Sequence, residues 1–256
     1  MIFTNLIKTN LSSHRIGKQI EYYQQLDSTN VKAWELIDAD EASHGTLVIT
    51  DNQIKGKGRG KNSWFSSPSK GLVMSLILTE QIPTEKAGFI PLVAGISTIK
   101  ALGNRSTFPL LKWPNDILIG GKKAGGILCE SRWAEKKFRA IVVGIGINVN
   151  ETKNDFPDEM KSFATSLAIE TGHSLQRELV ASTLINAFEE YWGKLHESPQ
   201  EIIADWISVC GHINQKISFN YNNVKYDGIF KGIDNQGQAI VTIEGNDQMF
   251  SSIILD

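Results

Sequence analysis

The sequence predicts a protein of mixed α and β structure over residues 1–210, followed by a small antiparallel β-barrel over 211–256. Three observations predict it. Short apolar, β-branched runs alternate with helical stretches through the first part. From Gly211 onward the stretches shorten, alternate, and are separated by Asn- and Gly-rich turn chemistry. The length, 256 residues, allows one large core plus an appendage without disulfide staples.

In chain order, Asp27, Ser28, Thr29 and Asn30 supply N-cap side chains ahead of a helix over Val31–Ile37. Leu47–Thr50, Leu72–Leu78 and Ile141–Ile145 read as strands. Val180, Leu184, Phe188, Tyr191, Trp192 and Leu195 recur at helical spacing and form one apolar face, most simply core. Ser198, Pro199 and Glu201 open another helix, with Ser as cap and Pro at the first helical position. Lys216–Phe219, Tyr226–Phe230 and Ala239–Ile243 are the barrel strands, divided by Asn222-Asn223, Asn235-Gln236-Gly237 and Glu244-Gly245-Asn246.

With 26 Lys+Arg against 28 Asp+Glu the net charge is −2, which argues against a surface built throughout for nucleic acid or anionic membrane. Cys129 and Cys210 stand 81 positions apart with no metal-ligand spacing, and read as reduced thiols of a cytoplasmic protein. No run reaches membrane-span length, and the N-terminus has no secretion-signal pattern.

The charges and glycines are unevenly placed. Thirteen of the 22 glycines lie between Gly56 and Gly146, and no Asp or Glu occurs from Asn52 to Thr79, where Lys55, Lys57, Arg59, Lys61 and Lys70 fall. Within it, Lys55-Gly56-Lys57-Gly58-Arg59-Gly60-Lys61 places cations between glycines, a pattern suited to carboxylate and phosphate oxygens. Its spacing is neither a Walker A loop nor a dinucleotide fingerprint. A solvated basic loop and a single-strand nucleic-acid contact helped by Trp64 and Phe65 are the other readings. A second segment, Lys112-Trp113-Pro114-Asn115-Asp116 through Gly120-Gly121 to Lys123, reads as strand, turn, strand and hairpin, returning Lys123 beside Lys112 or Asp116. The plain alternative is turn chemistry with a solvated lysine tip. In the third, Gly144-Ile145-Gly146-Ile147-Asn148, small residues in a strand mark either close approach of a ligand or a bulge.

Leu26-Asp27-Ser28-Thr29-Asn30, the Gly-Lys-Gly-Arg loop followed by Trp64, Lys112–Asp116, Lys123-Ala124-Gly125-Gly126-Ile127 and Gly144–Asn148, in this order, resemble the biotin–protein ligase family over about residues 20–256. The resemblance implies an α+β fold: a catalytic domain with a mixed, largely antiparallel sheet flanked by helices, then an SH3-like barrel. It implies ATP-dependent activation of biotin to biotinyl-5′-AMP and transfer to a lysine of a biotin carboxyl carrier protein, with Mg²⁺ accompanying ATP and Asp116 the candidate carboxylate beside it. Short members of the family lack an N-terminal DNA-binding domain; the 25 residues ahead of Leu26 are too few for one, so no nucleic-acid partner is expected. No membrane partner is expected either, and a weak or ligand-linked homodimer is compatible with the family.

Carried over by position, Ser28, Thr29, Asn30 and Gln53 resemble contacts to biotin, where hydroxyls and amides suit a cyclic urea. Gly56, Lys57, Gly58 and Arg59 resemble the loop around the biotin carboxylate and adenylate phosphate, joined by Gly126 and Gly144. Lys123 and Arg59 resemble the catalytic cations, Lys123 as a point charge that also contacts biotin and Arg59 as a fork. Arg59, Lys61, Trp64, Lys112, Asn115, Asp116 and Asn148 resemble nucleotide contacts. Lys61 departs from a position that is often Gly in the family. The end of the barrel lacks the family's Gly-rich turn, so no function is assigned to it. The rival expectations are a lipoate– or octanoate–protein ligase and a non-catalytic biotin- or nucleotide-binding protein.

Overall fold

A computed structural model describes residues 1–256 except 104–106, 135–136, 223, 252 and 256. After helix α1 (Thr4–Thr9), the first part holds β1 (Ile20–Tyr23), α2 (Thr29–Asp38), β2 (Leu47–Thr50), the short pair β3 (Gly56–Lys57) and β4 (Ser63–Trp64), and β5 (Leu72–Leu78). Then come α3 (Ile90–Gly103), β6 (Leu110–Lys112), β7 (Asp116–Ile119), β8 (Lys122–Ala134) and β9 (Lys137–Ile147). Helices α4 (Leu167–Thr171), α5 (Arg177–Glu197) and α6 (Pro199–Ser208) follow.

Seven strands form one sheet in the order β1-β2-β5-β9-β8-β7-β6, in which only β1 and β2 run parallel. Alternation along each strand divides its side chains between two faces. Leu47, Ile49, Leu72, Met74 and Leu76 join the main core, which includes α3 and α5 residues. Val48, Ile77, Ala140 and Val142 face the other way and pack on Ala33, Trp34 and Leu36 of α2. Helix α3 is buried on nearly every side, because its sequence, Ile90–Gly103, is apolar almost all round. The predicted helical face of α5 is buried at all six positions.

Helix α2 begins at Thr29, two residues earlier than the sequence suggested, and Ser28 at its N-cap makes no side-chain capping bond. Ser198 likewise sits at the cap of α6 without a side-chain bond, while Pro199 takes the first helical position as expected.

The C-terminal part holds β10 (Lys216–Tyr221), β11 (Val224–Ile233), β12 (Ala239–Ile243), β13 (Asn246–Phe250) and β14 (Ile254–Leu255), antiparallel in the order β13-β12-β11-β10-β14. Glu244 and Gly245 turn with positive φ, while Asn246, read as turn from the sequence, already pairs with Ile243. Of the Asn222-Asn223 separator, Asn223 lies outside the described residues. Phe230 is the junction with the first part: its ring lies 6.5 Å from Trp113 and from Trp206, while His212 of the C-terminal part packs on it at 4.2 Å. Gly88 and Gly237 complete the contact, since a Cβ on Gly88 would fall 2.2 Å from the Gln236 carbonyl oxygen.

Candidate active site

On the sheet face that carries α2, β9 presents Ala140, Val142, Gly144 and Gly146 in turn, opposite Ser75 and Val73 of β5. The helix covers the Val142 end. Beyond it the two glycines leave a depression, which becomes the floor of a cleft. A Cβ on Gly144 would stand 2.3 Å from Asn30 Oδ1, and one on Gly146 2.5 Å from the Trp64 ring. The register of β9 with β5 and β8 runs unbroken through both positions. Close approach therefore explains these glycines, and the bulge reading falls.

The inner end of the cleft is neutral and polar. Ser28, Thr29, Asn30 and Gln53 line it and are all at least nine-tenths buried. The Thr29 backbone N–H donates to Gln53 Oε1 at 2.9 Å, which turns the Gln53 amide nitrogen away as a donor. Gly56 admits that amide, because a Cβ there would lie 2.6 Å from Gln53 Nε2.

The outer end is charged. Gly120 and Gly121, with φ of +57° and +76°, turn β7 back into β8 and bring Lys123 Nζ to 2.5 Å from Asp116 Oδ1. The reading of Lys123 as a solvated tip thus fails. Its backbone is fixed as well: its N–H donates to the Phe163 carbonyl, and its own carbonyl accepts from Thr165. Asn115 donates its side-chain amide to the Ile127 carbonyl and accepts from Ile127 N–H on its own carbonyl, clamping the turn to β8.

The basic Gly-rich segment is folded over this end as the β3–β4 hairpin. Trp64 lies against Gly126 and Gly146, with Lys123 Nζ 5.9 Å from its ring. Arg59 Nη1 donates to the Ile253 carbonyl at 2.7 Å, so the end of the barrel, to which the sequence assigned nothing, touches the site's loop. Burial lowers the Arg59 pKa and the Asp116 charge opposes that, leaving a guanidinium that is cationic at neutral pH.

Of the residues singled out in the sequence, Ser28, Thr29, Asn30, Gln53, Lys57, Gly58, Arg59, Trp64, Lys112, Asn115, Asp116, Lys123, Gly126 and Gly144 line this one cleft. Gly56, Lys61 and Asn148 are not among its lining residues. Asn148 is buried, and its amide donates to the Thr165 carbonyl at 2.9 Å, holding the segment that straps Lys123. Asn62, Val73, Trp113, Pro114 and Gly146 line the cleft without having been assigned a role from the sequence. For Gly146 the signal existed, since it shares a strand face with Gly144 two residues away.

The sequence model of the Biotin/lipoate A/B protein ligase family matches residues 22–148, the stretch that builds this cleft. The chain is 36% identical over 251 residues to the bifunctional ligase/repressor BirA of Bacillus subtilis, covering 97% of this chain and 77% of that protein. It is 30% identical over 220 residues to the biotin–[acetyl-CoA-carboxylase] ligase of Paracoccus denitrificans, covering 84% of this chain and 90% of the relative. This chain belongs to the biotin protein ligase family. A solved family structure agrees: Aquifex aeolicus biotin protein ligase in complex with biotin and ATP superposes with a TM-score of 0.80 at 29% identity, over 93% of this chain and 99% of that one. The fold expected of the family is the fold seen, a mixed and largely antiparallel sheet with flanking helices plus a small C-terminal antiparallel sheet.

Proposed function

We propose that this chain joins the carboxylate of biotin to the α-phosphate of ATP, releasing pyrophosphate, and passes the biotinyl group to a lysine of a biotin carboxyl carrier protein. The observation that carries the proposal is the polarity of the cleft. Buried hydroxyls and amides stand at one end, and Lys112, Lys123 and Arg59 at the other.

That arrangement suits a ligand with a cyclic urea at one end and a carboxylate at the other. The Gln53 amide nitrogen donates to the ureido oxygen, and Ser28 and Thr29 hydroxyls accept from ureido N–H groups. The chain then lays the carboxylate near Lys123. Bringing one anion against another needs fixed positive charge where they meet, and Lys123 and Arg59 supply it. The Asp116 carboxylate holds Lys123 until the anions arrive. Loop residues Lys57, Gly58 and Arg59 close over the mixed anhydride and exclude water. Trp64, Lys112 and Asn115, which also line the cleft, are assigned to the nucleotide.

Among the described residues no three His, Cys, Asp or Glu gather as a metal cage. Asp116 would hold a Mg²⁺ carried in on ATP, and the ion would neutralise charge on the phosphates. A cytoplasmic site of action agrees with the ATP requirement, and among the described residues no helix is long and apolar enough to cross a membrane.

The test is to supply ATP with labelled biotin or lipoate and a carrier domain. Biotinyl-adenylate and labelled carrier are expected; product with lipoate alone overturns the proposal. Biotin binding without pyrophosphate release would make the chain a binding protein instead.

A further inference from the structure

The polar end of the cleft is wired to a carboxylate that does not belong to it. Glu130 lies on β8 at a groove between that strand and α2, which Lys57 of the hairpin also lines, and is not among the residues lining the cleft. Its Oε2 accepts from Asn30 Nδ2 at 2.7 Å, and the same amide nitrogen reaches the Leu128 carbonyl at 3.3 Å.

A carboxylate and a backbone carbonyl only accept, so both bonds fix Asn30 with its nitrogen toward β8 and its oxygen the other way. That oxygen stands over Gly144 and accepts from the Ser75 hydroxyl at 2.7 Å. Ser75 is fully buried and has one proton, with Thr29 Oγ1 as its other neighbour at 2.7 Å. Which way Asn30 faces therefore decides whether the Ser75 proton is taken by Asn30 or left for Thr29, and so biases how the Thr29 hydroxyl, which also reaches Gln53 Oε1 at 3.4 Å, meets the ligand. Turning Asn30 over would set its N–H₂ against Ser75 and its carbonyl against the Glu130 carboxylate, acceptor against acceptor.

We infer that Glu130 is a positioning residue for the neutral, polar end of the cleft: by holding Asn30 in one orientation it sets the hydrogen-bond polarity that Ser75 and Thr29 present to the ureido ring. The inference rests on biotin being the ligand bound there. Glu130 itself touches neither ligand.

Steady-state kinetics on the full chain, with biotin and ATP varied separately, tests it alongside thermal melting. A hydrogen bond to a charged group is worth roughly ten- to hundred-fold in binding, so E130A is expected to raise KM for biotin by about that factor. KM for ATP and kcat at saturating biotin stay within about threefold, because the residues at the reacting end do not depend on the Asn30 orientation. E130Q restores most of the biotin KM, since its side-chain oxygen still accepts from Asn30. Ser75→Ala is expected to show the same biotin-selective loss, and carries the test if E130A melts too low to assay. Unchanged biotin KM in both E130A and Ser75→Ala overturns the inference. So does a parallel rise in both KM values with a lowered melting temperature, which marks a merely structural contact. Absence of biotinyl-adenylate from the unaltered chain would instead overturn the proposed function, and is read in the same assay before any variant.

Discussion

Lys123 and Arg59 carry the proposed chemistry, and their surroundings separate their roles. Lys123 is a point charge held on a rigid hairpin and strapped by Phe163 and Thr165. Lys123→Ala is expected to lower the rate of adenylate formation by on the order of 10²–10³, as for loss of one preorganised charge-stabilising group, with a smaller loss of biotin affinity; single-turnover pyrophosphate release measures it. Arg59 sits instead on a loop, so Arg59→Ala is expected to leave a folded protein that forms the adenylate but retains it poorly. Normal retention, measured by filter binding of labelled adenylate, would remove that role. Gly146 gives a third expectation: Gly146→Ala drives a Cβ into the Trp64 ring and displaces the hairpin from the floor, lowering affinity for both ligands in calorimetric titration. These positions were legible because the motifs place cations and glycines together in the chain. Ser75 and Glu130 were not, because each sits within a strand and gains its partner, Asn30, only when α2 docks on the sheet.

Among the elements, the β3–β4 hairpin and the end of the barrel form the contact that no local pattern announced. Arg59 and Ile253 are 194 residues apart, and the bond uses a backbone carbonyl, which leaves no mark on residue type. A chain ending at Phe250 is expected to free the hairpin, so that trypsin cuts after Lys57 and Lys61 faster than in the full chain, with biotin and ATP together restoring less protection. Equal cleavage rates would show that the hairpin is held by Trp64 packing alone. Helices α5 and α6 followed from periodicity and Pro placement. The Ser28 cap did not, since its hydroxyl lines the cleft without capping the helix it precedes.

For the whole molecule, two buried groups outside the proposed chemistry shape stability in opposite senses. Glu151 is buried with no hydrogen-bond partner for either carboxylate oxygen among the described residues, and burial pushes its pKa from 4.5 up to about 7. An acid raised on folding stabilises fully below pH 4.5, and that contribution is lost as pH rises through 7, about 3 kcal/mol in all. His212 is pushed from 6.5 down to about 4, first by burial and then by Lys112. Its contribution is present above 6.5 and is lost as pH falls through 4, by a similar amount. The two nearly cancel between pH 4.5 and 6.5. Glu151→Gln removes one side, so the variant is expected to be the more stable chain at pH 8 and to gain little at pH 4.5. Urea unfolding at both values checks it, and equal stability at pH 8 would show that the carboxylate is hydrated.

The sequence by itself determined the family, the strands and helices of each part, and most of the side chains that meet in the cleft. These are properties of local order: periodicity, turn chemistry, and cations spaced by glycine within a few residues of one another. Only the tertiary structure decided that Gly144 and Gly146 serve close approach, that Asn148 holds a strap and does not line the cleft, and that Ile253 and Glu130 act on it from outside. Hydrogen-bond direction and strand register depend on partners far along the chain, and no residue type encodes which partner folding will bring.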